Sequence, residues 1–315
     1  MEVSLPAPQA PSGGAVYDAP QLRARGPRDM AQADDAIRDA GRVLALFFSR
    51  PTNVVGAAIL GVVIVLALLH PVLPLSDPFK IDIAMQRKPP SLSHPLGTDN
   101  LGRDLLSRIL LGSRVSLSVA FAIVAISSII GLVLGTISGY FGKTVDSLMM
   151  AVTDVLLAFP GLLLAIALVA VFGRGAPQLI LAACVAAIPR KIRLQRASVL
   201  SIKERTYVDA ARMAGASHFW IIVRHVLPNS VMPMIVVGTL SAANAILIEA
   251  SLSFLGLGIV PPQPSWGNII SDGRLFLRDA WWISTFPGLA IVFTAVALSL
   301  LGDGIRDHLD PRLQS

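Results

Sequence analysis

YVDAARMAGASHFWIIVRHVLPN, residues 207–229, is a polar, cation-flanked stretch set between two segments apolar enough to cross a membrane. Asp209, Ala210 and Ala211 stand together near its start, Gly215 follows after three more residues, and Leu227-Pro228 comes eleven residues after that glycine. A helix predicted from Thr206 carries small residues at Ala210, Ala211 and Ala214, so a partner surface can approach its backbone. Gly215 can adopt a positive φ and lets the chain turn sharply after that helix. Phe219, Trp220, Ile221 and Ile222 open a second, amphipathic helix that would lie against a membrane bundle. Leu227-Pro228 is expected to break it before the next apolar segment. The stretch reads as a helix–turn–helix at a membrane surface.

Composition supports a membrane frame. The chain has 315 residues, 54% of them apolar and only 15% charged, with a mean hydropathy of +0.67. Soluble domains carry about 25% charged residues, so this chain lacks the charge to cover its surface in water. The net charge of +6 comes from basic residues beside apolar segments, with few aromatics among them. That pattern belongs to membrane topology and excludes a nucleic-acid partner. Cys184 is the single cysteine, so no internal disulfide forms, and without neighbouring Cys or His it is a packed residue rather than a ligand. Residues 1–45, rich in Pro, Ala and Gly, read as a flexible cytoplasmic tail without the apolar core of a cleavable signal.

A spanning helix needs about 20 apolar residues, and six segments meet or approach that length. They are 51–76, 115–142, 149–172, 177–200, 229–257 and 282–302. The third carries Asp154, the fourth turns basic after Pro189, and the fifth carries Glu249. The fold predicted is an all-α polytopic membrane protein with six transmembrane helices. Both termini then share one side with residues 207–229. Seventeen of the 26 Lys and Arg residues fall on that side, which makes it the cytoplasm.

Small residues Ser127, Gly131, Gly135 and Gly139 recur every four positions, a stripe that lets another helix approach closely. Pro160 and Pro233 are read as kinks whose freed carbonyls neighbouring helices satisfy. Outside the membrane, residues 98–114 are expected to form an amphipathic surface helix capped by Thr98. A second outer connection, 259–281, holds PPQPSWG and the interfacial pair Trp281-Trp282.

These motifs together resemble the C-type permease subunits of dipeptide and oligopeptide ABC importers, a family that also includes nickel and glutathione carriers. Residues 207–229 resemble the EAA loop through which an ATPase subunit drives such a pore. HPLGTDNLGRDLLSRILLGSR (94–114), RHVLPN (224–229), EASLSFLGLG (249–258), PSWG (264–267), TFPGLAI (285–291) and LGDGIRDHLDPR (301–312) carry the rest. The resemblance covers more than two-thirds of the chain. Asp209 stands where the general motif has Glu, and His225-Val226 where it has Ile.

The resemblance implies a type I ABC importer permease fold with a cytoplasmic coupling helix, in the inner membrane of a prokaryote. Residues 46–112 would hold the first transmembrane helix and an extracytoplasmic loop. Residues 113–303 would form a five-helix core that includes the coupling loop, 200–228, and 304–315 a cytoplasmic tail. The ATPase-coupling residues would be Tyr207, Asp209, Ala210, Ala211, Arg212, Gly215, Ala216, Leu227 and Pro228. Glu249, Asn244 and Ser253 are candidates for the translocation path or its gate. Partners would be a homologous B-type permease, two ABC ATPase subunits that bind ATP and Mg, and an extracytoplasmic solute-binding protein. This chain itself would bind no cofactor and catalyse nothing.

Glu249 has two readings. It can attract a peptide α-amino group or gate the path, or it can sit near the outer interface, solvated or paired with an arginine. Gly142-Lys143-Thr144 matches the end of a phosphate-binding loop, but Ile137 stands where the first glycine is required, so no nucleotide site forms. The five histidines (His70, His94, His218, His225 and His308) are scattered and make no metalloenzyme motif. An ion-coupled secondary transporter using Glu249 or Asp154 as a relay is the rival class. It has no use for the 207–229 loop.

Overall fold

The computed structural model describes residues 47–309. The tail read at 1–45 lies outside them, as do residues 310–315. Among the described residues the regular structure is helical, and the extended pairing is one isolated bridge between Thr98 and Asp104.

Helix α1 (Pro51–Leu69) starts with a proline in its first turn, where the missing N–H has no partner to lose. The loop that follows holds one short 3₁₀ turn, Ile83–Met85, whose preceding Asp82 side chain accepts the Ala84 N–H at 3.1 Å. The next helix, α2 (Leu105–Phe141), does not begin at Thr98 as its composition suggests. Asp99 Oδ1 accepts the N–H groups of Leu101 and Arg103 at 2.8 and 2.9 Å, while Gly97 and Gly102 take positive φ. These bonds coil the loop tightly. Asp104 becomes the N-cap and accepts the Ser107 N–H at 2.8 Å. Thr98 instead accepts the Lys88 N–H at 2.8 Å and donates to the Met85 carbonyl. The separate surface helix and second span of the sequence reading are one helix of 37 residues, about 55 Å long at ~1.5 Å per residue. It exceeds a hydrocarbon core of about 30 Å.

Helices α3 (Lys143–Leu157) and α4 (Gly161–Phe172) bend by 91° at Pro160. The sequence suggests a kink here, and the structure has a broken span. Pro160 cannot donate to a helix and pushes Phe159 away from the α conformation, so both ends of the break must stop. Helix α5 (Ala176–Lys203) continues through Pro189 without interruption. After it come α6 (Thr206–Met213), α7 (His218–Ile221), a π-helical turn over Ile222–Val226, and α8 (Leu227–Ser230). Helix α9 (Met232–Phe254), the short helix α10 (Trp266–Gly273) and the long α11 (Trp282–Leu309) complete the described residues. Helix α11 runs past residue 303, where the sequence reading placed the start of a tail.

Close packing follows the stripe of small residues. A Cβ on Gly131 would lie 2.5 Å from the Lys191 Cβ, one on Gly135 2.7 Å from the Gln195 Cβ, and one on Gly139 2.9 Å from the Val199 Cβ. Both rows step by four residues, so α2 and α5 mesh along a common ridge. Helices α9, α11 and α1 pack in sequence against this pair. By length and composition α1, α2, α9 and α11 can each cross a membrane, and α3 with α4 can make a fifth, broken span. Large apolar side chains such as Phe121, Val171 and Leu163 remain exposed, as lipid-facing positions require.

Candidate functional site

The 207–229 loop is held by a small core of its own. Val208, Ile221 and Val226 are fully buried against Val199 near the end of α5 and Tyr140 near the end of α2. The Tyr140 hydroxyl bonds to His218 Nδ1 at 2.9 Å. This anchors the first turn of α7 to α2, so displacement of the loop must load both long helices.

The turn between α6 and α7 closes in a defined way. Gly215 has φ +80°; its N–H bonds to the Arg212 carbonyl and the Ala216 N–H to the Ala211 carbonyl, both at 3.1 Å. This is a Schellman closure, which needs a left-handed residue at the glycine position. Ala211 and Ala216 pack against the small core beneath, and Ser217 caps α7 by accepting the Trp220 N–H at 3.3 Å. Tyr207, Asp209, Ala210 and Arg212 face outward, with Arg212 donating to Asp209 at 3.0 Å. Among the described residues, and apart from its own chain neighbours, no atom lies within 4 Å of where a Gly215 Cβ would stand. The apex is open for a partner.

Leu227-Pro228 does not break the second helix. The Leu227 N–H reaches back five residues to the Ile222 carbonyl, which makes the π-helical turn. That wider turn accommodates a proline ring that would clash with the preceding carbonyls of a regular α-helix. The chain therefore stays helical from His218 almost to α9.

A second feature is a cleft of about 770 Å³ walled by α2, the α3–α4 break, α5 and α9. Asn244 lines it, together with Ser127, Ser241, Ser251, Arg190 and Lys191. Glu249 and Ser253 do not. They are buried at 0% and 1% exposure, and the Ser253 hydroxyl donates to Glu249 Oε1 at 2.8 Å. The hydroxyls of Ser116 and Ser265 lie beside the same carboxyl group, while Oε2 closes no hydrogen bond. The reading of Glu249 as solvated or paired with an arginine is thus corrected. Folding brings α2 and the start of α10 over it, which sequence distance alone does not reveal.

Sequence reasoning also passed over Lys191 and Gln195. The Gln195 amide nitrogen donates to Thr136 and Ser230 at 3.0 and 2.9 Å, joining α5 to α2 and to α8 below the loop. Both lie in the basic second half of α5, where sequence alone does not separate them from exposed neighbours such as Arg193.

In the loop before α2, Asp99 meets Arg103 Nε at 2.6 Å, and beyond it Arg108 Nε at 3.2 Å. Asp272 on α10 approaches the same two guanidinium groups at 3.5 and 3.6 Å. Burial raises the Asp272 carboxyl above its ordinary value; Arg108 and Arg103 oppose that shift and Asp99 adds to it.

Residues 131–315 match the family of binding-protein-dependent transport system inner membrane components. A Brucella suis protein named for a peptide transport system permease is 46% identical over 82% of this chain and 88% of its own. The dipeptide transport system permease of Alkalihalophilus pseudofirmus is 38% identical over 94% of this chain and 96% of its own. The glutathione transport system permease of Pectobacterium atrosepticum is 45% identical over 72% of this chain and 75% of its own.

Proposed function

Starting from the fact that this chain belongs to the binding-protein-dependent transport system inner membrane components, we propose that it is the C-type permease of an ATP-driven peptide importer. It supplies half of the translocation path for peptides delivered by a solute-binding protein. The same machinery could carry glutathione, nickel or an oligosaccharide, and the coverage of a dipeptide permease along nearly the whole chain favours peptides. Helices α1, α2, α3 with α4, α5, α9 and α11 make six spans with both termini cytoplasmic. The fourth of these, α5, carries Arg190, Lys191, Arg193 and Arg196 in its second half, which is why composition alone counts fewer.

In this reading residues 200–228 are the coupling loop. Residues 46–112 form the first span and outer loop, and 113–303 the core, with α11 extending into the segment beyond. A homologous B-type permease forms the other wall, and two partner ATPases bind ATP and Mg. Closure of the ATPases pushes α6 and α7, Tyr140 and Val199 carry the load into α2 and α5, and the cleft changes the side to which it opens. Nucleotide biases a two-state bundle.

The observation that carries this proposal is the glycine-closed turn with an open apex, clamped onto the ends of α2 and α5. The test is peptide uptake into proteoliposomes holding the whole transporter. Uptake is expected to require hydrolysis by the ATPase subunits. Uptake that persists with hydrolysis-dead ATPases and follows an ion gradient would replace this reading with the ion-coupled one.

A further inference from the structure

The cleft carries an electrostatic feature that the coupling mechanism does not use. Among the described residues that line it, Arg190 and Lys191 are the charged groups, and both are cations. The Lys191 residue is 3% exposed, and its ammonium donates to Ser127 Oγ at 2.7 Å, Ser128 Oγ at 2.8 Å and the Val124 carbonyl at 3.2 Å. These bonds use all three donors of an ammonium group. Every acceptor is neutral, so the hydrogen bonds are satisfied and the charge is left uncancelled.

Neighbouring acids are committed elsewhere. Asp154 pairs with Arg193, and Asp146 takes both Nε and NH2 of Arg196 at 2.5 Å. Arg190 is exposed to the cleft and, among the described residues, has no hydrogen-bond or ion-pair partner. Its place is midway along α5, about 21 Å from the start at ~1.5 Å per residue. With α5 starting at the outer face, both cations lie within a hydrocarbon core of about 30 Å. A cation at that depth usually marks a path. Low-dielectric walls strengthen its attraction for an anion.

We propose that Arg190 and Lys191 form an electropositive station in the translocation path that receives carboxylate groups of the passing peptide, so that acidic peptides cross faster than neutral ones of equal size. This rests on the peptide reading above. Arg190 makes the contact, since its guanidinium is free. Lys191 supplies a fixed field from the wall, and Ser127 and Ser128 hold it there. The rival account is that the pair only marks the cytoplasmic side and staples α5 to α2. That account predicts no selectivity.

The test uses the whole transporter in proteoliposomes with its solute-binding protein preloaded, in separate experiments, with Ala-Glu-Ala, Ala-Gln-Ala or Ala-Lys-Ala. The readout is the ratio of uptake rates, which is insensitive to how much transporter assembles. The native ratio is expected to favour Ala-Glu-Ala over Ala-Gln-Ala about ten-fold. Arg190→Gln and Lys191→Gln should each bring it towards one, and Arg190→Glu should turn the preference to Ala-Lys-Ala. Ratios equal in native protein and variants overturn the station and leave the permease reading intact. Absence of ATP-dependent uptake of any of the three peptides in the native protein sinks the peptide reading, and the station with it.

Discussion

The Ser253 hydroxyl donates to Glu249 Oε1 at 2.8 Å, one turn along α9, and its oxygen in turn accepts the Ile259 N–H at 3.3 Å. The other two serines beside the carboxyl group do the same. Ser116 accepts the Trp266 N–H and Ser265 the Asn268 N–H, both at 3.3 Å. Each oxygen is occupied by a backbone donor, which leaves each hydroxyl proton free to face the carboxyl group. Glu249 is thus bonded within α9 through Ser253, with the hydroxyls of Ser116 on α2 and Ser265 at the start of α10 standing beside it.

Oε1 is the carboxyl oxygen that accepts a hydrogen bond, and the amide oxygen of glutamine can accept it in its place. Glu249→Gln should shift stability by less than about 1 kcal/mol, whereas Glu249→Leu should lose about 1–3 kcal/mol, the cost of leaving the buried Ser253 hydroxyl without its acceptor. Thermal unfolding of the purified complex in detergent measures both. If Glu249→Gln abolished solute uptake while the complex stayed assembled, the negative charge would have a transport role that this hydrogen-bond account denies.

The turn at Gly215 gives a graded prediction. Gly215 has φ +80° and open space around its Cβ position, so a side chain meets conformational strain and no clash. Gly215→Ala should cost about 1 kcal/mol at the turn and leave much of the coupling. A β-branched residue is worse in that region, and Gly215→Val should insert normally yet lose stimulation of ATPase activity by the docked solute-binding protein. Normal stimulation in Gly215→Val would remove the loop from the coupling role.

The stripe on α2 predicts the opposite kind of failure. A Cβ at Gly135 would stand 2.7 Å from the Ile192 carbonyl oxygen, a backbone atom that cannot step aside. Gly135→Val should cost about 1–3 kcal/mol or more by forcing α2 and α5 apart, while Gly61→Ala, with nothing within 4 Å, should be neutral or slightly stabilising. Comparing their melting temperatures decides between close packing and mere composition as the reason for the stripe.

Legibility in the sequence followed the range of the forces involved. Helices such as α1 and α9 show as apolar runs because lipid imposes length and composition locally. The α2–α5 contact is half visible. The four-residue stripe announces a close neighbour but does not say that Lys191, Gln195 and Val199 fill it. The Gly215 turn is readable because one residue type suits a left-handed position. Glu249 was misread because its partners Ser116 and Ser265 belong to other elements. The start of α2 was misplaced because Asp99 and two glycines bind the preceding residues into a loop, which helical periodicity does not register.

The ion cluster of Asp99, Arg103, Arg108 and Asp272 separates two aspartates that look alike in sequence. The Asp99 side chain is 1% exposed and touches Arg103 and Arg108, themselves 8% and 3% exposed. Asp99→Asn leaves both guanidinium groups to the more distant Asp272 and should cost up to about 3–5 kcal/mol. The Asp272 side chain is 36% exposed and more distant, so Asp272→Asn should cost far less. Asp272 also has a pH dependence of its own. Burial raises the Asp272 carboxyl, so the folded protein holds that proton more tightly than the unfolded chain does. Its contribution to stability is then fully present below the ordinary carboxylate value and is lost as pH rises through the raised one. On acidification towards pH ~4, the native protein should gain stability relative to Asp272→Asn. Unfolding midpoints of the two, taken as a difference across pH, test the sign; a difference that moves the other way would mean that the arginines, and not burial, dominate at Asp272.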